Sequence, residues 1–169
     1  MRQEYVKLKT LDNIIHFSPS LYFGLTLLIV IILLVNKGIS DISVLSILGL
    51  TFLLPTIIFY AVQKEKLKFK IIKTVLNENE FKELVNNIAK KNTWLIHSYL
   101  DKEFIIKTNP GFINQSWGQH ITLKLTTDGI LINSIFDTNK GTWIITFGSN
   151  SRNIKSITEI IKKSTIKQL

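Results

Sequence analysis

The fold is decided by a long uncharged stretch near the N-terminus, which runs from Pro19 to Val35 and reads PSLYFGLTLLIVIILLV. Asp, Glu, Lys and Arg are all missing between Asp12 and Lys37. At about 1.5 Å per residue, a helix over this stretch is roughly 26 Å long, slightly less than the ~30 Å hydrocarbon core of a bilayer. A helix in the core of a soluble protein usually keeps a polar stripe, and this stretch has none. We therefore predict a transmembrane helix over residues 19–35.

A second uncharged stretch follows, from Ile42 to Gln63, and reads ISVLSILGLTFLLPTIIFYAVQ. It is long enough to cross a bilayer with some tilt, and we predict a helix over residues 42–62. A cleaved signal peptide is disfavoured because Val35 leads through Asn36 and Lys37 into another apolar span, without a small-residue cleavage site. The loop over residues 36–41 is too short for a domain. Residues 18–63 are thus expected to form an antiparallel membrane hairpin.

The positions of the lysines and arginines predict the orientation of this hairpin. Lys37 is the one cationic residue in the connecting loop, whereas the flanking segments are rich in them. The flanking cationic residues are Arg2, Lys7 and Lys9 before the first span, and Lys64, Lys66, Lys68, Lys70 and Lys73 after the second. The positive-inside rule then places both termini, including an N-terminal segment over residues 1–17, in the cytoplasm. We expect a multi-pass membrane protein.

The residue composition disfavours several classes of function. The chain has no cysteine and three scattered histidines, so it offers neither a disulfide framework nor a recognised zinc spacing. Neither span contains an ionisable residue of the kind that proton relays and ion pathways place at membrane depth. No carboxylate pair has acid–base spacing, and Ser116 lacks the context of a nucleophile elbow. We expect no enzymatic activity, no cofactor and no metal.

Residues 64–169 are predicted to form one cytosolic α+β domain, which holds +8 of the formal net charge of +9. In its first part, Lys64–Ile71, every second residue is a lysine, which predicts a strand with the lysines on one face and Leu67, Phe69 and Ile71 on the other. A helix follows, with Asn77 and Glu80 as a capping box, and ends near Asn92. The apolar positions on one side of this helix are Phe81, Leu84, Val85 and Ile88.

The remainder of the domain reads as short strands and a final helix. The predicted strands are Trp94–Leu100, Glu103–Thr108, Gln119–Thr126, Ile130–Ile135 and Thr142–Phe147, and the last helix covers Ser151–Ser164. Turn sequences such as Asp128-Gly129 separate the strands, which indicates an antiparallel meander. The predicted fold is strand, helix, four or five antiparallel strands, helix. Both helices would cover one face of a curved sheet and leave the lysine-bearing face exposed.

Three motifs stand out in this domain: W-G-x-x-I-T at Trp117–Thr122, L-I-N-S-I at Leu131–Ile135 and F-G-x-N-x-x-N-I at Phe147–Ile154. Together with residues 73–76 and Trp94, they resemble an uncharacterised module of small two-transmembrane-helix proteins in Bacteroidota-type bacteria. The resemblance covers about half of the chain. The module is a domain of unknown function, so the resemblance implies no activity. It implies a location in a bacterial inner (cytoplasmic) membrane.

Two groups of residues are candidates for binding. The first is the set of lysines beside the membrane, which would attract anionic lipid headgroups or would only fix topology and solvate the sheet. These lysines are Lys64, Lys66, Lys68, Lys70 and Lys73. The second is a possible ligand or partner loop, whose residues could equally be turn glycines and a helix cap. These residues are Trp117, Gly118, Asn133, Gly148, Asn150, Arg152 and Asn153.

The combined expectation is a non-enzymatic membrane protein whose basic domain docks on membrane lipids or on a membrane partner. The alternative is an accessory subunit or a small oligomeric channel or transporter component, which assembles with itself or another protein through Ser46 and Gly49. Nucleic acid is not an expected partner. A single-strand platform needs exposed aromatic rings on the lysine face, whereas Trp143 alternates with Ile145 and Phe147 and reads as core.

Overall fold

A computed structural model describes residues 4–38, 42–108, 118–138 and 148–166. The chain divides into two compact units. One unit, the domain, consists of Met1–Lys7 and Lys66–Leu169, and the other, the apolar unit, consists of Leu8–Glu65. The predicted strand Thr142–Phe147, with Trp143, and the predicted positions of Ser116 and Trp117 lie outside the described residues.

The apolar unit is built from long helices. Helix α1 covers Thr10–Asn36, and a second helical stretch comprises α2 (Ile42–Leu48), a π-helical turn (Gly49–Leu53) and α3 (Leu54–Lys66). The segments Thr10–Asn36 and Ser46–Lys66 are long and apolar enough to cross a membrane, with mean hydropathies of 2.3 and 1.7. Helix α1 starts nine residues before the predicted span, so that Pro19 lies inside it. The Oγ of Ser20 donates to the carbonyl of Phe17 at 2.8 Å in the same turn.

Aromatic contacts hold α1 against α3. The rings of Phe23 and Phe59 stack with centroids 5.4 Å apart, and those of Phe17 and Tyr60 lie 5.3 Å apart. The Nε2 of His16 lies 2.9 Å from the carbonyl oxygen of Gln63. Partners later in α1 meet residues earlier in α3, so the two helices run antiparallel.

The domain contains a five-stranded antiparallel sheet with the strand order β1-β5-β4-β3-β2. The strands are β1 (Lys70–Ile72), β2 (Leu95–Leu100), β3 (Glu103–Lys107), β4 (Gln119–Thr126) and β5 (Gly129–Phe136). Helix α4 (Glu78–Asn92) lies between β1 and β2 in the chain, and α5 (Ser149–Ile166) follows β5. This order of strand, helix, four strands and helix confirms the prediction for the described residues.

The core lies between the two helices and one face of the sheet. Helix α4 contributes the four predicted apolar side chains, and α5 contributes Ile157 and Ile161. The side chains that the sheet contributes to this cluster all lie on one face of it: Ile72, Phe104, Ile106, Ile121, Leu123, Ile130 and Ile132. Because both helices meet the same side chains, they cover the same face. The capping box of α4 is present, with Asn77 and Glu80 exchanging hydrogen bonds of 3.0 and 2.8 Å.

The first predicted strand is wrong in its extent. Helix α3 continues through Lys66, and β1 covers only Lys70–Ile72. The residues at this junction, Gln63 to Lys66, are all straight-chain types that lose little rotamer freedom in a helix. Helix α3 therefore continues through these residues to Lys66. The strand pattern that predicted otherwise is the alternation of lysines with Leu67 and Phe69.

Candidate functional site

The N-terminal segment joins the domain next to the end of α3. Tyr5 pairs with Lys68 in an isolated antiparallel bridge. The amide of Val6 donates to the carbonyl of Leu67 at 2.9 Å, and the amide of Phe69 donates to the carbonyl of Glu4 at 3.1 Å. Residues 4–6 and 67–69 thus form a short two-stranded ribbon, which we call the entry ribbon.

The five candidate lysines do not share one face. Lys64 and Lys66 belong to α3, Lys68 to the entry ribbon and Lys70 to β1, and Lys73 follows β1. Lys64, Lys70 and Lys73 are exposed, whereas Lys66 and Lys68 are half-buried. The Nζ of Lys64 lies 5.9 Å from the ring centroid of Tyr60, one helical turn earlier. The predicted continuous strand of lysines is therefore not present. The five lysines belong to α3, to the entry ribbon and to β1 with the residue that follows it.

Asn133 fixes the entry ribbon to the sheet. It lies on the face of β5 opposite the core, is 1% exposed, and pairs with Thr122 of β4. Its Nδ2 donates to the carbonyls of Lys66 and Lys68, at 2.8 Å each. On the same face, the Nζ of Lys124 lies 3.6 Å from Oε2 of Glu4. This face was predicted to be exposed, but at β5 it is buried, with Leu131, Asn133 and Ile135 at most 7% exposed.

The other polar candidates gather at one end of the core face. Gln119 is 2% exposed, and its Nε2 donates to the hydroxyl of Ser149 at the start of α5. Its Oε1 accepts from Nδ2 of Asn153, which also reaches Ser134 Oγ at 3.4 Å. Ser134 in turn donates to Oδ1 of Asn150 at 3.4 Å. These five residues, Gln119, Ser134, Ser149, Asn150 and Asn153, form the polar cluster that ties α5 to β4 and β5.

This arrangement separates the predicted loop residues. Asn150 and Asn153 belong to the polar cluster, and Asn133 lies on the opposite face of the sheet. Gly118 and Gly148 adopt positive φ angles of 96° and 73° beside the cluster, and the carbonyl of Gly148 accepts from the amide of Arg152 at 3.0 Å. The side chain of Arg152 is exposed. The positive φ angles of Gly118 and Gly148 fit the turn interpretation, whereas Asn150 and Asn153 lie inside α5, which begins at Ser149, and not at its cap.

Sequence reasoning missed Gln119, Ser134 and Ser149 as members of the polar cluster. The signal was present in the alternation, because Gln119 continues the apolar face of Ile121 and Leu123 at a spacing of two residues. A polar residue on a core face requires a hydrogen-bonding partner, so this position predicts a buried network rather than a solvated side chain.

Two sets of charged side chains interact within the domain. The Nε2 of His120 lies 3.2 Å from Oδ1 of the buried Asp137, a distance that allows an ion pair when the imidazole is protonated. At the start of α4, Glu78 accepts a hydrogen bond from the Tyr99 hydroxyl at 2.7 Å and lies 2.9 Å from the Nζ of Lys82. The hydrogen bonds from Lys82 and Tyr99 lower the pKa of Glu78. Within the described residues, no group of three or more His, Asp or Glu is placed to hold a metal ion.

Comparison with known proteins yields no relative: no family model, no curated protein and no solved structure matches this chain. The resemblance of the three motifs to an uncharacterised bacterial module therefore stays a prediction.

Proposed function

We propose that this protein is a non-enzymatic integral membrane protein, in which a two-helix hairpin anchors the α+β domain at a bacterial inner membrane. The observation that supports the anchor is the exposure of the apolar helices. Only 6% of the apolar window in each candidate span is buried. Side chains along α1 such as Leu25, Ile29 and Val35 are 57–67% exposed. An uninterrupted apolar surface of this length is unfavourable in water and matches lipid.

The entry ribbon supports a cytoplasmic location of both termini. The residues before α1 pair with the residues after α3, so both ends of the hairpin connect to the same unit. A hairpin with both ends on one side has its loop on the other side. That loop contains one cationic residue, Lys37, whereas the flanking segments contain eight. The positive-inside rule therefore favours a cytoplasmic domain.

The proposed partner of the domain is the anionic leaflet of the membrane. Exposed Lys64, Lys70 and Lys73 lie within ten residues of one another, starting in the last turns of α3. Each cation near an anionic surface contributes about 1 kcal/mol of attraction. A formal charge of +8 on residues 64–169 adds a longer-range attraction that salt screens.

An accessory subunit of a membrane complex is the second candidate. Ser46 is exposed, and a Cβ added to Gly49 would meet no atom within 4 Å. Gly49 also opens the π-helical turn, a feature that occurs often at functional positions in helices. Small residues on an open helix surface let a neighbouring backbone approach closely.

The test is an affinity purification of the full chain from native membranes in mild detergent, followed by mass spectrometry of proteins and lipids. We expect the purified chain to be enriched in anionic lipid and to carry no stoichiometric protein. In a parallel extraction of the membranes with alkaline carbonate, we expect the chain to stay in the membrane. A stoichiometric partner protein would favour the accessory subunit. Release of the chain by carbonate would refute the membrane anchor itself.

A further inference from the structure

A groove opens between α1 and α3 in the half of the hairpin nearest the chain ends. Its volume is about 380 Å³, and its walls are Ser20, Leu21, Gly24, Leu25, Thr56, Ile57 and Tyr60. The groove exists because small side chains face each other here. A Cβ added to Gly24 would lie 3.6 Å from Cγ2 of Thr56, and Ser20 turns its hydroxyl back to the carbonyl of Phe17.

The lining surface of this groove is almost wholly apolar, and two of its three hydroxyls, those of Ser20 and Thr56, donate within their own helices. Thr56 donates to the carbonyl of Phe52 at 2.7 Å, and Ser20 donates at 2.8 Å. Apart from the Tyr60 hydroxyl, such a groove offers little hydrogen bonding to a polar ligand. It suits a hydrocarbon chain, for which close contact with the walls is the available source of binding energy in a membrane.

One end of the groove carries a positive charge. Tyr60 lines the groove, and Lys64 follows it by four residues on the same side of α3, with its Nζ 5.9 Å from the Tyr60 ring centroid. The Lys64 side chain is exposed, so its ammonium is accessible to a ligand. Tyrosine and lysine together at the end of an apolar helix are typical of the headgroup level of a bilayer.

We propose that this groove binds one anionic phospholipid, with an acyl chain between α1 and α3 and the headgroup phosphate at Lys64. The proposal rests on the proposed membrane anchor. A lipid is favoured over a second copy of the chain because the groove combines an apolar slot with a cation. These two features match the acyl chain and the anionic headgroup of a single lipid. One lysine near such a headgroup corresponds to about a fivefold preference for anionic over neutral lipid.

The experiment uses the full chain in nanodiscs of equal neutral phosphatidylcholine and anionic phosphatidylglycerol, released for native mass spectrometry. We expect one retained phosphatidylglycerol per chain. Replacing Leu21 by tryptophan fills the groove and is expected to remove this lipid. Leu33→Trp is the matched control, because Leu33 is 54% exposed on the same helix and does not line the groove.

The charge is tested separately with Lys64→Gln, a surface substitution that leaves the groove intact. It is expected to retain a lipid but to lose the fivefold anionic preference, whereas Lys73→Gln keeps it. Equal lipid retention by the Leu21→Trp and Leu33→Trp variants, or an unchanged preference in Lys64→Gln, would overturn the proposal. A bound second chain that Leu21→Trp releases would also overturn it. Failure of the chain to enter nanodiscs at all would instead refute the membrane anchor.

Discussion

Replacement of Gly129 by alanine tests the close approach of β5 to the chain after β1. Gly129 follows the turn between β4 and β5 and has a φ of 134°, which side-chain-bearing residues rarely adopt. An added Cβ would lie 2.2 Å from the carbonyl oxygen of Ile72 and 3.0 Å from the Cα of Lys73. Because real Cβ atoms do not come that close, β1 would have to move by roughly 1 Å, a distance sufficient to weaken its hydrogen-bonded pairing with β5.

The expected cost combines two effects. Forcing alanine into this backbone conformation costs about 1–3 kcal/mol, and each weakened hydrogen bond costs about 1 kcal/mol. A total of about 3 kcal/mol corresponds to a decrease of roughly 15 °C in the Tm of a domain of this size. The assay is thermal unfolding of the full chain in detergent, followed by tryptophan fluorescence, since Trp94 packs against the core.

Gly148→Ala is the matched control for this experiment. Gly148 also has a positive φ, 73°, but a Cβ there would meet no atom within 4 Å. It is expected to cost about 1 kcal/mol through backbone conformation alone. If the Gly129→Ala and Gly148→Ala variants lose the same amount of stability, the contact with the Ile72 carbonyl contributes nothing to the loss. That result would refute the prediction that this contact destabilises Gly129→Ala.

Three further substitutions probe the domain. Ile157→Ala leaves a cavity under α5 and should lower the free energy of unfolding in urea by about 2–5 kcal/mol; a loss below 1 kcal/mol would place Ile157 outside the core. Gln119→Ala leaves the side chains of Ser149 and Asn153 without their buried partner and should cost about 1–3 kcal/mol in the same urea titration, and an unchanged stability would contradict the polar cluster. Because bonds from Lys82 and Tyr99 lower the folded-state pKa of Glu78, its contribution is present above the pKa of an unperturbed glutamate and is lost as the pH falls through the folded-state value. Glu78→Gln should therefore flatten the acid limb of a stability-against-pH curve, and an unchanged limb would contradict the pairing.

The sequence predicts the domain well where local signals agree. The capping box and the i, i+3, i+4, i+7 pattern of α4 lead to the observed helix, and alternation in β4 gives its observed bounds. The short turns after β2 and after β4 then determine the antiparallel pairing of β2 with β3 and of β4 with β5. Local consistency of this kind is what allows a single sequence to specify an element.

Two features required information that local patterns do not contain. Whether Lys64 and Lys66 continue a helix or begin a strand depends on the helix that precedes them, and the alternation alone favoured the strand. The placement of Asn133 depends on the carbonyls of Lys66 and Lys68, which lie more than sixty positions earlier in the chain. A buried asparagine in β5 is explicable only once Lys66 and Lys68 are seen to present their carbonyls to it.

The membrane topology is tested most directly by cysteine labelling, because the chain has no cysteine of its own. Single variants Lys7→Cys, Lys37→Cys and Lys73→Cys would be treated with a membrane-impermeant maleimide in spheroplasts with an intact inner membrane and in inverted inner-membrane vesicles. We predict that Lys37→Cys reacts in the spheroplasts, whereas the Lys7→Cys and Lys73→Cys variants react only in the inverted vesicles. Equal reactivity of Lys37→Cys and Lys73→Cys on one side of the membrane would contradict a spanning hairpin.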